Sequence, residues 1–361
     1  MRRPSGFGLA GWLERLGAAL MARRLRWALP GSSALPVFFA VTFAFFCVVA
    51  PRFASASNIE NLMAGYAFIA IVAMGQAFAL LVRGIDLSVG AIVALAGMVA
   101  FDASLILHLP GWVVLLLTVM AGTLAGAANG LLVVGLRLQP FIATLATLAA
   151  YRGMVFAISG RQRVPELSTT PITDPWIIGL ESYFDIGAAL ALTDTISLPA
   201  LPLSFVVMLV LLLVFQTILS RSRFGHELLA IGGNPEAARL AGISVARGIV
   251  LAYTLSGLCA GIAALLLVAR LTTATESLGN GLELTAIAGA VIGGVSVRGG
   301  SGSLWGPVLG TFLLGVVLLG LTLYGISQFV QQILTGAVLL GAVAHARWAV
   351  QRHAAAKSAT A

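Results

Sequence analysis

Apolar residues in this chain come in long runs separated by short polar or glycine-rich steps. A helix needs about 20 predominantly apolar residues to cross roughly 30 Å of hydrocarbon. Runs approaching or exceeding that length predict helices over 33–50, 59–82, 88–106, 112–135, 140–159, 201–219, 247–269, 282–297, 304–323 and 328–346. The pattern reads as an all-α polytopic membrane protein of about ten transmembrane helices. One transmembrane domain, 33–346, then lies between an N-terminal arm, 1–32, and a tail, 347–361.

Two interruptions stand out within this pattern. In Gly84-Ile85-Asp86-Leu87-Ser88-Val89-Gly90, two glycines bracket a polar step. An ionisable residue among apolar spans is costly and defaults to a functional reading. Asp86 either satisfies a broken or re-entrant helix together with Ser88, or caps the helix that follows. The second interruption runs from Ile292 to Ser303, and paired breaks in the two halves point to inverted repeats and broken helices around a central path. Gln76, Asn129, Thr144, Thr147 and Gln331 are polar groups inside spans, able to bond a hydroxylated solute or one another. Arg152 and Glu283 are further ionisable groups in apolar surroundings. Gly122, Gly126 and Gly130, Gly257 and Gly261, and Gly289 and Gly293 recur four apart, the spacing of close helix packing.

Composition agrees with the pattern: 59% of residues are hydrophobic and 9% charged, and the mean hydropathy is +1.02. The net charge of +8 follows topology rather than suggesting nucleic acid. With the N-terminus inside, sixteen basic residues fall on the inner side, four (Arg52, Arg161, Arg163 and Arg270) outside, and Arg152 within a span. Both termini are then cytoplasmic. The arm through Arg26 reads as part of a retained first helix with Trp12 and Trp27 near the interface, rather than as a cleaved signal. The weakly hydrophobic stretch 160–200 becomes an outer loop carrying Glu166, Asp174, Glu181, Asp185 and Asp194, with Trp176 and Tyr183 as candidate anchors for an external partner.

Between two apolar runs lies Arg221 to Arg247, a basic segment on the inner side, within the stretch 220–246. Asn234 can cap a helix, Pro235 suits its first position, and Gly242 can take the left-handed conformation that ends it, so a helix is expected from Pro235 to Ala241. ATP hydrolysis by this chain is excluded, since a phosphate-binding loop needs Gly-x-x-x-x-Gly-Lys-Ser/Thr and the sole lysine is Lys357. His108, His226, His345 and His353 stand far apart, so no metal site is expected. Cys47 and Cys259, both inside predicted spans, read as packing residues.

These residues resemble the ribose/xylose-type permeases of bacterial ABC sugar importers. The resemblance rests on GIDLSVG at Gly84–Gly90, NGLLV at Asn129–Val133, QPFIATLATLA at Gln139–Ala149, RFGHELLAIGGNPEAARLAGIS at Arg223–Ser244, GLELTAIAGAVIGG at Gly281–Gly294 and GGSGSLWGPVLG at Gly299–Gly310. Together they cover about 60 to 340 in the family's order. The resemblance implies an inner-membrane permease subunit, itself no enzyme, that forms the path for a monosaccharide. It also implies a homodimer, a separate ABC ATPase subunit that carries the ATP and Mg, and a periplasmic sugar-binding protein. The path candidates are Gln76, Asp86, Ser88, Asn129, Thr144, Thr147 and Glu283. ATPase coupling falls to Phe224, Gly225, Gly232, Asn234, Pro235, Glu236, Ala237, Ala238 and Gly242. Two departures are Arg83, where the family pattern has an extra glycine, and His226, where an arginine often follows Phe-Gly. The competing readings are a proton-coupled secondary transporter using Asp86 or Glu283 and a membrane assembly protein without transport.

Overall fold

A computed structural model describes residues 34–159, 172, 174–184, 200–272, 274–341 and 344. The basic arm, Glu166, Asp185, Asp194 and the tail lie outside these. Among the described residues the regular structure is helical apart from one pair of two-residue strands. Its helices are α1 (Ala34–Val49), α2 (Ala56–Leu81), α3 (Val89–Phe101), α4 (Gly111–Gly135), α5 (Pro140–Ser159), α6 (Pro175–Ile178), α7 (Leu203–Arg221), α8 (Arg223–Gly233), α9 (Pro235–Leu240), α10 (Val245–Leu271), α11 (Leu282–Ile292) and α12 (Trp305–Leu323). A last apolar helix, α13, covers Gln328–Gly341. Among the described residues seven helices are long and apolar enough to cross a membrane, and α1, α11 and α13 are shorter apolar helices.

Helices α2 and α10 form the centre. A helix that is apolar all round belongs inside, and every residue of α2 from Ala70 to Leu81 is buried. Helix α10 packs against α4, α2 and α3, while α12 packs against α11, α2 and α1. The glycine spacing decides how closely α4 meets α10. A methyl group at Gly126 would lie 2.7 Å from Gly257 Cα, and one at Gly122 would lie 2.7 Å from Gly261 Cα, so these backbones touch. Gly293 likewise abuts Gly306, which seats α11 on α12.

Two predicted spans end differently from their hydropathy. The span over 282–297 stops being helical after Ile292, because Gly294 takes φ +82° and the chain turns through a series of positive-φ glycines, Gly299 and Gly300 among them. The span over 88–106 is α-helical to Phe101 and continues as a π-helix over Asp102–Ile106.

Polar contacts gather at two opposite ends. At one, Arg270 donates to Glu181 Oε1 at 3.1 Å and to Asn61 Oδ1 at 3.4 Å. There too, Ala200 N donates to Glu60 Oε1 at 2.8 Å and Gly111 N to Asp174 Oδ2 at 3.0 Å. Asp174 also caps α6 by accepting from Trp176 N at 2.8 Å. The antiparallel strands β1 (Tyr183–Phe184) and β2 (Leu201–Pro202) close this end. At the other end, the C-terminus of α2, the α8–α9 corner and the loop after α11 meet, and Gly300 N donates to Leu81 O at 2.9 Å.

Candidate functional site

The step between α2 and α3 is the polar centre of the molecule. Asp86 is fully buried. Its Oδ1 accepts from Ser88 N at 3.0 Å, Ser88 Oγ at 2.7 Å and Asn129 Nδ2 at 3.4 Å. Its Oδ2 accepts from Ser256 Oγ at 2.9 Å. The side-chain amide of Gln76 lies against the Asp86 main chain, its nitrogen donating to the carbonyl at 3.0 Å and its oxygen accepting from the amide at 3.1 Å. Thr144 Oγ1 donates to Ile85 O at 3.0 Å, and Tyr253 OH donates to the same carbonyl at 3.4 Å. Asn129 adds a bond from Nδ2 to Ser88 Oγ at 2.7 Å and accepts from Tyr151 OH at 3.3 Å. Asp86 accepts from Ser88 N in the turn before α3, whose cap position is Ser88 itself, without a side-chain capping bond, and the break that Asp86 fills is buried and satisfied. Leaving one such buried group unpaired costs about 1–3 kcal/mol, so the cluster is held as a unit.

The flanking glycines have a steric cause. A methyl group at Gly84 would collide with Tyr253 OH, and one at Gly90 would collide with Gly279 O and Glu283 Oε2. Helix α10 and the segment leading into α11 thus press on both edges of the Asp86 step.

Gln76, Asp86, Ser88, Asn129 and Thr144, picked from sequence as polar groups in apolar runs, all join this cluster. Thr147 sits one helical turn on, its Oγ1 donating to Thr144 O at 3.2 Å. Glu283, at the start of α11, lies against Gly90 at the edge of this cluster and is the one of these seven residues that is partly exposed. Arg152 braces the nearby segment, with NH1 donating to Glu276 O and Leu278 O, both at 2.8 Å. Tyr151, Tyr253 and Ser256 escaped sequence reasoning, since a tyrosine or serine in an apolar helix carries no mark of what faces it. Among the described residues no three His, Cys, Asp or Glu side chains gather as a metal site.

The basic segment folds as a second candidate site. Ser222 caps α8, its hydroxyl accepting from Gly225 N at 3.1 Å. Asn234 ends α8 and caps α9, with Oδ1 accepting from Glu236 N and Ala237 N, both at 3.1 Å. Pro235 stands at the first helical position and Gly242 follows with φ +81°. Helix α9 ends at Leu240, one residue earlier than expected. Its faces are unlike: Ala238 is buried against the body, whereas Glu236, Ala237 and Arg239 are exposed and Leu240 is 81% exposed. Phe224, Gly225 and Gly232 point inward and build the seat of α8, with a methyl at Gly225 clashing with Leu219 and one at Gly232 with Leu81 and Gly300. Leu240 went unnoticed in sequence because a leucine closing a short helix is ordinary until its exposure is known.

A profile described as branched-chain amino acid transport system / permease component matches residues 58–343. The chain is similar to the autoinducer 2 import system permease protein of Klebsiella pneumoniae, 35% identical over 77% of this chain and 76% of that one. It resembles the ribose import permease protein of Haemophilus influenzae at 33% identity over 74% and 77%. The D-allose transport system permease protein of Escherichia coli K12 is 37% identical over 75% and 78%. No solved structure matches the chain. The profile spans the buried cluster, the capped α9 and the breaks on either side of the centre, and on this ground the chain belongs to the branched-chain amino acid transport system / permease component family, a membrane transport subunit rather than an enzyme.

Proposed function

We propose that this chain is the inner-membrane permease subunit of an ABC importer, passing a monosaccharide delivered from outside and driven by a separate ATPase. The carrying observation is α9: a capped six-residue helix with Ala238 packed inward and Leu240 held out to solvent. A rigid short helix with an apolar tip suits insertion into a groove of a partner. ATP and Mg are then the partner's ligands. The end bearing α9 also carries Arg83, Arg221, Arg223, Arg239, Arg247 and Arg298, and the positive-inside bias supports a cytoplasmic side for it. Two of the relatives named above are permeases for ribose and D-allose by description, which supports a small sugar as the solute. Their description as import and transport-system permeases favours this reading over a proton relay through Asp86 or Glu283.

At the opposite end, Trp176, Tyr183 and Phe184 are exposed by 60%, 44% and 53% and form an aromatic surface for a periplasmic sugar-binding protein. Glu181 is engaged by Arg270 and serves the loop's own structure. A path between two copies of the chain requires lining groups that a single copy leaves at least partly open to solvent. Glu283, which is partly exposed, fits that requirement, and the Asp86 cluster acts as the buried pivot behind it. The test is co-purification of the tagged chain in mild detergent, with ATPase assay of what it retains. Recovery of an ATPase stimulated by a sugar-binding protein and lost in Leu240→Asp supports the reading. Solute flux from the purified chain with no ATPase present overturns it.

A further inference from the structure

Arg83 joins the two candidate sites. It occupies the position after the end of α2, with φ 65°, where Arg83 N donates to Leu80 O at 2.9 Å and Gly84 N to Ala79 O at 2.8 Å. That is the left-handed helix-ending position for which glycine is favoured, since a side chain there is strained. The strain is matched by what the guanidinium reaches. Its Nε donates to Gly232 O at 2.6 Å and its NH2 to Gly233 O at 2.5 Å, the last carbonyls of α8. A cation is favoured at that helix end, and a planar fork fixes direction as well as distance. Asn234, the next residue, caps α9. Three residues on from Arg83 is Asp86. Gly299 closes over the Arg83 side chain, a methyl there falling 2.6 Å from its Cγ, so the arm has little freedom.

We infer that Arg83 is the positioning residue that transmits movement of α9 to the buried Asp86 cluster, a rigid strut from the ATPase-docking helix to the pivot of the path. This rests on the permease reading of α9. The strut runs through one side chain and three residues of backbone to the end of α8, two residues before α9, while Gly300 N donating to Leu81 O and the close packing of Gly232 and Gly233 on that contact hold the same corner by backbone alone. Removing the guanidinium therefore leaves the corner assembled by backbone packing and takes away the two directed bonds that fix the end of α8, and with it the start of α9, to the Asp86 step.

The experiment compares wild type with Arg83→Gly in reconstituted complexes containing the ATPase and the sugar-binding protein, measuring solute taken up per ATP hydrolysed. Glycine relieves the backbone strain, so the variant is expected to keep thermal stability and ATPase association. Its uptake per ATP is expected to fall about tenfold, within the range by which linked sites influence one another. An unchanged ratio overturns the strut, as a merely structural arginine would lose nothing coupled to ATP. Should Arg83→Gly not assemble, Arg83→Lys keeps the charge and loses the fork: a ratio reduced several-fold supports the inference, and the wild-type ratio overturns it. Failure of the wild-type chain to recruit any ATPase refutes instead the permease reading on which this rests.

Discussion

At the scale of single residues, the Asp86 carboxylate is held entirely by neutral donors, and the two oxygens differ in what they can tolerate. Oδ1 faces Ser88 N and Asn129 Nδ2, which only donate, whereas Oδ2 faces the Ser256 hydroxyl, which can turn and accept. Asp86→Asn can therefore keep every bond by directing its NH2 at Ser256. It is expected to lose less than about 1 kcal/mol of stability while impairing uptake if the negative charge is used when the cluster moves. Thermal unfolding in detergent, paired with transport in vesicles, separates the two. Asp86→Leu leaves Ser88 N and the Ser88 and Ser256 hydroxyls without their acceptor and is expected to lose folded protein altogether. Gln76, Asp86, Ser88, Asn129 and Thr144 were legible in sequence because a polar group inside an apolar run is conspicuous wherever it points. Tyr253 and Ser256 were not, because their roles exist only once α10 is laid against the break.

At the scale of elements, close approach between helices depends on backbone meeting backbone. Gly126→Val would push α4 off α10, where Gly257 Cα stands 2.7 Å from the added carbon. The expected result is a several-fold fall in folded protein, read as the monodisperse fraction after detergent extraction. Gly153→Ala meets nothing within 4 Å and is expected to behave as wild type. The four-residue glycine spacing forecast the packing faces but not their partners, since a small-residue stripe says only that something comes near. The same holds for α9. Its cap, proline and terminal glycine were readable residue by residue, and Asn234→Ala is expected to cost the helix about 1 kcal/mol. Which face docks was not readable, because it depends on how α9 lies on the start of α10. Ala238→Glu, placed in a buried position, is expected to damage the fold, whereas Leu240→Asp is expected to leave the fold intact and abolish ATPase retention on an affinity column.

At the scale of the whole molecule, the two ends are built for different contacts. The α9 end is basic and mechanically tied through Arg83. The opposite end is closed by the Arg270–Glu181 pair and presents aromatic side chains. Trp176→Ala is expected to weaken docking of the sugar-binding protein about tenfold in a titration, as for a large exposed aromatic anchor at an interface centre. The same change is expected to leave detergent stability unchanged, since the indole is mostly solvent-facing.

The sequence alone determined what is set by local composition: apolar runs long enough for helices, their breaks at glycines, the caps of α9, the absence of a phosphate-binding loop, and the resemblance to a permease. Each is a property of neighbouring residues, governed by solvation, backbone freedom and capping over a few positions. The tertiary structure decided what depends on residues distant in the chain. It brought Ser256 and Tyr253 to Asp86, turned Leu240 outward and Ala238 inward, paired Glu181 with Arg270, and reached Arg83 across to Gly232 and Gly233. Such contacts follow from which helices pack together, and hydropathy cannot specify that where nearly every face is apolar.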